Sequence, residues 1–267
     1  MKTEPRRVPQ PGEPGWRNLI DNEGKAIQEA VAWHMVSLIV NKSESIGTGS
    51  AILWRGHTLI LTANHVVKDS PNDDIYFHFR HEGTMKVAPL DKLHSHPEMK
   101  YTRKVKIDIG HRYASEDLDL AALEVQESIS KEHLIQFFLL TEDSSTPPAG
   151  TIIMIHGYPS DLAKTVAPRT AASYAMIQWS RIEKNPKFKP FNPETEFVTK
   201  FRVNDLHARG FSGAGVWLDK PTNGVWHPNL GLAGVCTDYY ERLKLLSAVR
   251  IEHVIRFLSE VFPASVG

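Results

Sequence analysis

Ser212 lies in Gly210-Phe211-Ser212-Gly213-Ala214-Gly215, a glycine-rich turn between β-favouring apolar runs at 197–203 and 215–218. Glycine on both sides lets the main chain take tight or positive-φ geometry and leaves room for a substrate to approach the backbone. A hydroxyl held there suits acyl transfer, but a serine is a poor nucleophile without a base and an acid to orient that base. Two upstream segments offer both. Leu59-Ile60-Leu61-Thr62-Ala63-Asn64-His65-Val66-Val67 is a β-rich run that delivers one histidine among small residues, and Asp119 heads the alternating run Asp119-Leu120-Ala121-Ala122-Leu123-Glu124-Val125. The chain order is His, Asp, Ser, separated by roughly fifty and ninety residues, one of the orders in which nucleophile, base and orienting acid recur. In that chemistry Ser212 attacks a carbonyl carbon. His65 takes its proton and later protonates the leaving amine, while Asp119 fixes the imidazole tautomer and stabilises the imidazolium. The backbone N–H groups of Gly210 and Ser212 are the candidate oxyanion donors. Asp117 competes for the acid role; Asp119 is preferred because it directly precedes the apolar alternation.

The elements that must position these groups read as β structure. A helix over 23–32 places Ile27, Ala30 and Val31 at helical spacing, and 35–40 follows as a strand. Gly47-Thr48-Gly49-Ser50 turns the chain into 51–54, Arg55-Gly56 turns it into 58–62, and His65 follows directly. Segment 75–80 alternates, 86–91 and 104–109 are weaker strands, and 129–140 fits helix or strand. Thr146-Pro147-Pro148-Ala149-Gly150 marks the connection between two halves. Six strands are expected afterwards, at 151–155, 170–179, 196–203, 215–218, 230–237 and 245–249. Ile251, Val254, Ile255, Leu258, Val261 and Phe262 then recur at helical spacing until Pro263. The expected fold is all-β: two antiparallel β-barrels with a C-terminal helix. Its parts are a flexible proline-rich tail over 1–22, with Pro5, Pro9, Pro11 and Pro14, an N-terminal barrel over 23–145 carrying His65 and Asp119, and a C-terminal barrel over 146–267 carrying Ser212.

A chain of 267 residues can bury a substantial core. Lys+Arg and Asp+Glu balance at 31 each, which argues against nucleic acid or a membrane surface as partner. No apolar run approaches the length of a membrane span, and prolines follow the N-terminal charges where a leader would be apolar. A single cysteine, Cys236, excludes an intrachain disulfide, so a cytoplasmic location is expected. Cys236 lies in the apolar run 232–236 and reads as a small buried hydrophobe. His94-Ser95-His96 offers two ligands without a third at ligand spacing, so no metal is expected, and the serine chemistry calls for no cofactor.

Three segments resemble the trypsin/chymotrypsin-like serine peptidases, especially their disulfide-free bacterial members. Thr62-Ala63-Asn64-His65-Val66 is similar to the family's T-A-A-H-V, Asp119-Leu120-Ala121 to its D-[IL]-A, and Gly210-Phe211-Ser212-Gly213 to its G-x-S-G. Gly157-Tyr158-Pro159 resembles the G-[YF]-P that often opens the second barrel. The likeness spans approximately 27–262. Departures are Asn64 for alanine, Phe211 for aspartate or asparagine, and Ala214-Gly215 for glycine-proline; none touches the three polar residues. The resemblance implies a serine endopeptidase acting on polypeptide through an acyl-enzyme. It puts a small hydroxyl at Thr237 near Asp119, the substrate-pairing strand at Thr237, Asp238 and Tyr239, and the floor of the primary pocket at Leu206. An apolar floor implies cleavage after medium or large apolar residues. Phe211 cannot accept a freed N-terminal ammonium, so no trypsin-kind zymogen step is expected. Such an enzyme would be restrained by narrow specificity or by association with a regulatory protein partner.

Two other readings are weighed. An α/β-hydrolase would use His156-Gly157 with Ser212, Asp238 and His253, but Ala214 stands where that elbow needs glycine and too little chain follows for the remaining β/α units. A catalytically silent barrel pair serving as a peptide-binding or scaffold module would be expected to have lost one of the three polar residues, and none is lost.

Overall fold

The computed structural model describes residues 16–40, 45–72, 75–78, 104–106, 109–125, 136–160, 164–167, 170–172, 176–184, 186, 188, 190–201, 207–220 and 228–264. Helix α1 (Trp16–Ala32) leads into a first sheet of β1 (Met35–Val40), β2 (Ser45–Trp54), β3 (His57–Ala63), β4 (Ile75–His78), β5 (Lys104–Lys106), β6 (Ile109–Ser115), β7 (Leu120–Val125) and β8 (Phe138–Leu139). A one-turn helix α2 (Asn64–Val67) follows β3. The sheet runs β5-β4-β1-β2-β3-β7-β6, and β8 adds to β2 in parallel, the one departure from antiparallel pairing among the described residues.

The second half holds β9 (Ile152–Gly157), the small hairpin β10 (Lys164–Ala167) and β11 (Thr170–Ala172), then β12 (Met176–Arg181), β13 (Glu196–Lys200), β14 (Gly215–Asp219), β15 (Leu230–Tyr240) and β16 (Leu245–Arg250), and ends in helix α3 (Ile251–Val261). Six strands order as β12-β9-β14-β15-β16-β13. The ring closes where Ile182 bridges Thr199 and Glu183 N–H donates to Val198 O at 2.9 Å. The chain thus builds two antiparallel β-barrels and a C-terminal helix.

Strands at the junction are apolar on both faces because both are buried. In β3, Ile60 and Ala63 face the interior of the first barrel, while Leu59 and Leu61 join a core shared between the barrels. That shared core takes Ile52, Trp54, Leu120 and Ala122 from the first barrel, Met154, Trp217, Leu232, Val235 and Val249 from the second, and Ile251, Val254, Phe257 and Leu258 from α3. Burying one such side chain contributes about 2 kcal/mol, so the interface holds the barrels in fixed register. Thr146, in the connection, donates its N–H to Glu252 Oε1 at 2.8 Å and its hydroxyl to Oε2 at 2.7 Å, tying the connection to the first turn of α3.

Several expectations need correction. The tail expected over 1–22 loses 16–22 to α1; Trp16, Leu19 and Ile20 extend the helical spacing of Ile27 and Val31 upstream, and the prolines stop at Pro14, ahead of the first turn. The single strand expected over 170–179 is two, with Lys164–Ala167 added. The strand expected at 230–237 continues to Tyr240. The segment 129–140, which fits helix or strand, contains β8 at its end. Among the described residues the sheets are antiparallel apart from β8 on β2 and show no doubly wound parallel sheet, which removes the α/β-hydrolase reading. The strand expected at 86–91, the His94–His96 pair and Leu206 lie outside the described residues.

Candidate active site

Two strand ends and one turn bring the candidate residues together. β3 pairs antiparallel with β7, Ala63 opposite Leu120, so the segment leaving β3 and the segment entering β7 are neighbours. Asn64 N–H donates to Asp119 O at 2.9 Å, and His65 N–H donates to Asp119 Oδ1 at 2.9 Å. The second carboxylate oxygen, Oδ2, lies 2.6 Å from His65 Nδ1. Asp119 therefore holds the His65 ring and its backbone at once. It does so from left-handed backbone, φ 49°, a conformation that short polar side chains tolerate better than others. Asp117 makes no hydrogen bond or ion pair among the described residues. The His65 pKa is raised above its ordinary value, first by the hydrogen bond to Asp119, against the opposing effect of burial, with further help from the charges of Asp119 and Asp238; Lys68 acts in the opposite sense. The ring is 42% exposed, open to a substrate.

The Ser212 turn is fixed at every peptide. Gly210 and Gly213 hold φ 93° and 86°. A Cβ on Gly213 would run into the Thr48 carbonyl and the Thr62 hydroxyl, and one on Gly210 would run into the Tyr158 carbonyl. Arg209 O accepts from Ser160 N–H at 2.8 Å, and Phe211 O accepts from Ala214 N–H at 2.8 Å. In a trans peptide the N–H points away from its C=O, so these two bonds set the directions of the Gly210 and Ser212 N–H groups. Neither N–H donates to an acceptor among the described residues. Gly213 N–H, by contrast, donates to Cys236 O at 2.7 Å.

The Ser212 hydroxyl donates to Thr237 O at 3.5 Å, a long bond, and none joins Ser212 to His65 among the described residues. The substrate strand expected at 237–239 divides by face. Val235 belongs to the shared core and Cys236 to the interior of the second barrel. The register then shifts, Cys236 opposite Ala248 and Asp238 opposite Ser247, so Thr237 is inserted as a bulge. Asp238 returns to the Val235 side, within electrostatic reach of His65 and Asp119, and its pKa is raised, first by burial and then by Asp119. Tyr239 turns inward, its ring 5.4 Å from Phe201, which in turn lies 5.5 Å from Phe211. Thr237 is buried, and its hydroxyl is not hydrogen-bonded to Asp119 among the described residues. Burial pushes the Cys236 thiol up to about 12, which makes it inert. No group of three or more metal-ligating side chains occurs among the described residues.

Sequence reasoning passed over Thr48. It is fully buried in β2, and its hydroxyl donates to Gly210 O at 2.6 Å and accepts from Tyr158 N–H at 2.9 Å. Its N–H donates to Ser212 O at 2.9 Å, and its carbonyl accepts the Thr62 hydroxyl at 2.8 Å.

The arrangement of two barrels with these polar groups at their junction is the two-barrel serine-peptidase architecture. Residues 47–221, well over half of the chain, match the family model of the trypsin-like peptidase domain, and the chain belongs to that family. Among solved structures it is similar to a serine endoprotease from Yersinia pestis, with TM-score 0.55, 16% identity, and 90% of this chain aligned to 66% of that one. The chain thus spans just under two thirds of that protein. An inactivated protease paralogue of the scabies mite matches with TM-score 0.56 and 14% identity over 86% of this chain and 94% of that one. The MamO protease domain of Magnetospirillum magneticum in its apo form matches with TM-score 0.53 and 11% identity over 86% and 97%. At these identities the likeness is one of fold. No curated protein sequence matches significantly. Among the described residues no helix is long and apolar enough to cross a membrane.

Proposed function

We propose that the chain is a serine endopeptidase that hydrolyses peptide bonds through Ser212, His65 and Asp119. The observation that carries this reading is the two-point grip of Asp119 on His65, through Oδ2 to Nδ1 at 2.6 Å and Oδ1 to the backbone N–H at 2.9 Å. With Nδ1–H donated to the carboxylate, the other ring nitrogen is left without a proton and serves as the base. Ser212 then attacks the substrate carbonyl carbon and its proton passes to His65. The developing oxyanion is held by the N–H groups of Gly210 and Ser212, whose directions are fixed by the bonds to Arg209 O and Phe211 O. His65 protonates the leaving amine, and a water repeats the sequence to release the acyl group. The hydroxyl must first turn from Thr237 O toward His65, a rotation about one side-chain bond, and such contacts commonly tighten only when substrate binds.

Substrate backbone would pair with the edge at 237–239, with Leu206 flooring the primary pocket and Asp238 and Tyr239 flanking it on opposite faces. The polypeptide is the one partner the chemistry requires; a regulatory protein is compatible with it. The lone cysteine supports a cytoplasmic setting. A second reading, a silent peptide-binding module, draws on the Ser212 hydroxyl facing Thr237 O. One experiment separates them: incubation of the protein with a peptide library and a serine-directed phosphonate, with Ser212→Ala alongside. Cleavage and labelling by the wild type, both lost in the alanine variant, support the peptidase; a folded wild type that does neither leaves the silent module.

A further inference from the structure

Thr48 stands in the first barrel, yet two of its polar atoms, the hydroxyl and the backbone N–H, serve the second. Its hydroxyl takes hold of the Gly210–Phe211 peptide, the unit lying between the two peptides that carry the candidate oxyanion donors. Because that hydroxyl oxygen also accepts from Tyr158 N–H, its single proton is directed to Gly210 O. The Thr48 N–H fixes Ser212 O, on the other side of the nucleophile. Its carbonyl takes the hydroxyl of Thr62, which stands in the strand that leads into His65. One residue thus links the strand that delivers the base to both flanks of the turn that delivers the nucleophile.

We infer that Thr48 is a positioning residue that sets the oxyanion donors of the second barrel in register with the His65 strand of the first. The inference rests on the peptidase reading above. Small errors in such donors are expensive, since removing one donor of this kind costs about 10²- to 10³-fold in kcat. A hydroxyl that holds the peptide between two donors sits one bond removed from that effect. The methyl group of Thr48 cannot supply it, and neither can valine, which keeps the shape and loses the donor.

The test compares Thr48→Val, Thr48→Ser and Thr62→Val in the full chain. For each, kcat and KM on a peptide substrate are measured well below its own melting temperature, together with affinity for a peptide boronate, which mimics the tetrahedral state. Thr48→Val is expected to lower kcat by about 10²-fold with KM within about 3-fold, and to weaken the boronate in parallel with kcat/KM. Thr48→Ser, which keeps the hydroxyl, should recover most of the loss, and Thr62→Val, which frees only the Thr48 carbonyl, should fall between. Hydrogen exchange across 208–214 is read on the same samples, and should rise by more than about tenfold in Thr48→Val whether or not the protein cleaves peptides. A folded Thr48→Val with unchanged kcat and unchanged exchange overturns the role. So does Thr48→Ser as impaired as Thr48→Val, since the effect would then belong to the methyl packing. A wild type without cleavage or labelling defeats the peptidase reading instead, and the exchange measurement still decides whether Thr48 holds the turn.

Discussion

Replacing Asp119 with asparagine separates the chemistry from the fold. Asparagine is nearly isosteric and among the residues that best tolerate the left-handed φ of 49°, so Asn64 N–H keeps its bond to the residue 119 carbonyl and the β3–β7 pairing is undisturbed. The side chain has two donors to satisfy, the His65 backbone N–H at 2.9 Å and Nδ1 at 2.6 Å, and a carboxylate accepts from both. An amide has one acceptor and one donor end. If its oxygen faces the backbone N–H, its NH₂ faces Nδ1, which must then be the unprotonated nitrogen; the proton moves to the nitrogen that should be the base. If the amide flips, two donors face each other at the backbone, and replacing a charge-assisted bond with that clash costs about 1–3 kcal/mol of stability.

The first pose is favoured, and it gives a folded protein with the wrong tautomer. The expected loss is about 10⁴-fold in kcat, equivalent to about 5.4 kcal/mol of barrier. The assay is kcat/KM on a fluorogenic peptide and the phosphonate labelling rate, from about pH 5 to about 9, to follow the base through its titration. Wild-type activity should rise with pH through a value above the ordinary histidine pKa, because Asp119 and Asp238 raise that of His65 and the neutral ring is the active form. Asp117→Asn, which removes no hydrogen bond or ion pair among the described residues, is the control and should stay within about 3-fold of wild type. Asp119→Asn retaining more than about a tenth of wild-type kcat would falsify the tautomer argument, and a larger loss in Asp117→Asn would transfer the acid role.

Ser212→Ala removes a hydroxyl with one long hydrogen bond, so melting should shift by no more than about 2 °C while cleavage disappears; a large shift in the thermal scan would mean the hydroxyl is structural. Gly213→Ala should do the opposite, destabilising the chain by about 3 kcal/mol or more in denaturant titration, because a Cβ at φ 86° meets the Thr48 carbonyl; a stable variant would contradict that close approach. Asp238→Asn removes one of the charges that raise the His65 pKa, so the acid limb of the pH profile should move to lower pH, and an unmoved limb would place Asp238 out of electrostatic reach. Cleavage-site profiling on a denatured proteome should show medium or large apolar residues before the cut; an Arg or Lys preference would rule out the proposed apolar floor at Leu206 and point to Asp205 or Asp238.

Local pattern carried much of this architecture, and its failures have physical causes. His65, Asp119 and Ser212 stand out in the sequence as candidates because each lies at the end of a strand-like run, where a chemical residue type breaks an apolar pattern. The helix Ile251–Val261 was legible for the same reason, its buried Val254 and Leu258 lying one turn apart. Thr48 was read only as part of a Gly-Thr-Gly-Ser turn, because its partners Gly210 and Tyr158 are more than a hundred residues away and nothing in its neighbourhood points to them. The direction of Asp238 was also hidden. Strict alternation puts it on the same side as Cys236, inside the barrel; the inserted Thr237 reverses that and sends a carboxylate to the side of His65.

The same bulge ties the two halves of the site together. Thr237 O, exposed to the nucleophile by the interruption of pairing, takes the Ser212 hydroxyl, while Asp238 adds to the field that raises the His65 pKa. One irregularity in β15 therefore acts on both the proposed nucleophile and the proposed base. Straightening it with Thr237 kept in the ladder, opposite Ser247, would put Asp238 inside the apolar core around Phe197 and Leu246 and Tyr239 outside it. An unpaired carboxylate in such a core costs several kcal/mol or becomes protonated. Burial thus penalises the straight strand and holds the bulge, so the feature that shapes the site is maintained by the same apolar packing that holds the barrel.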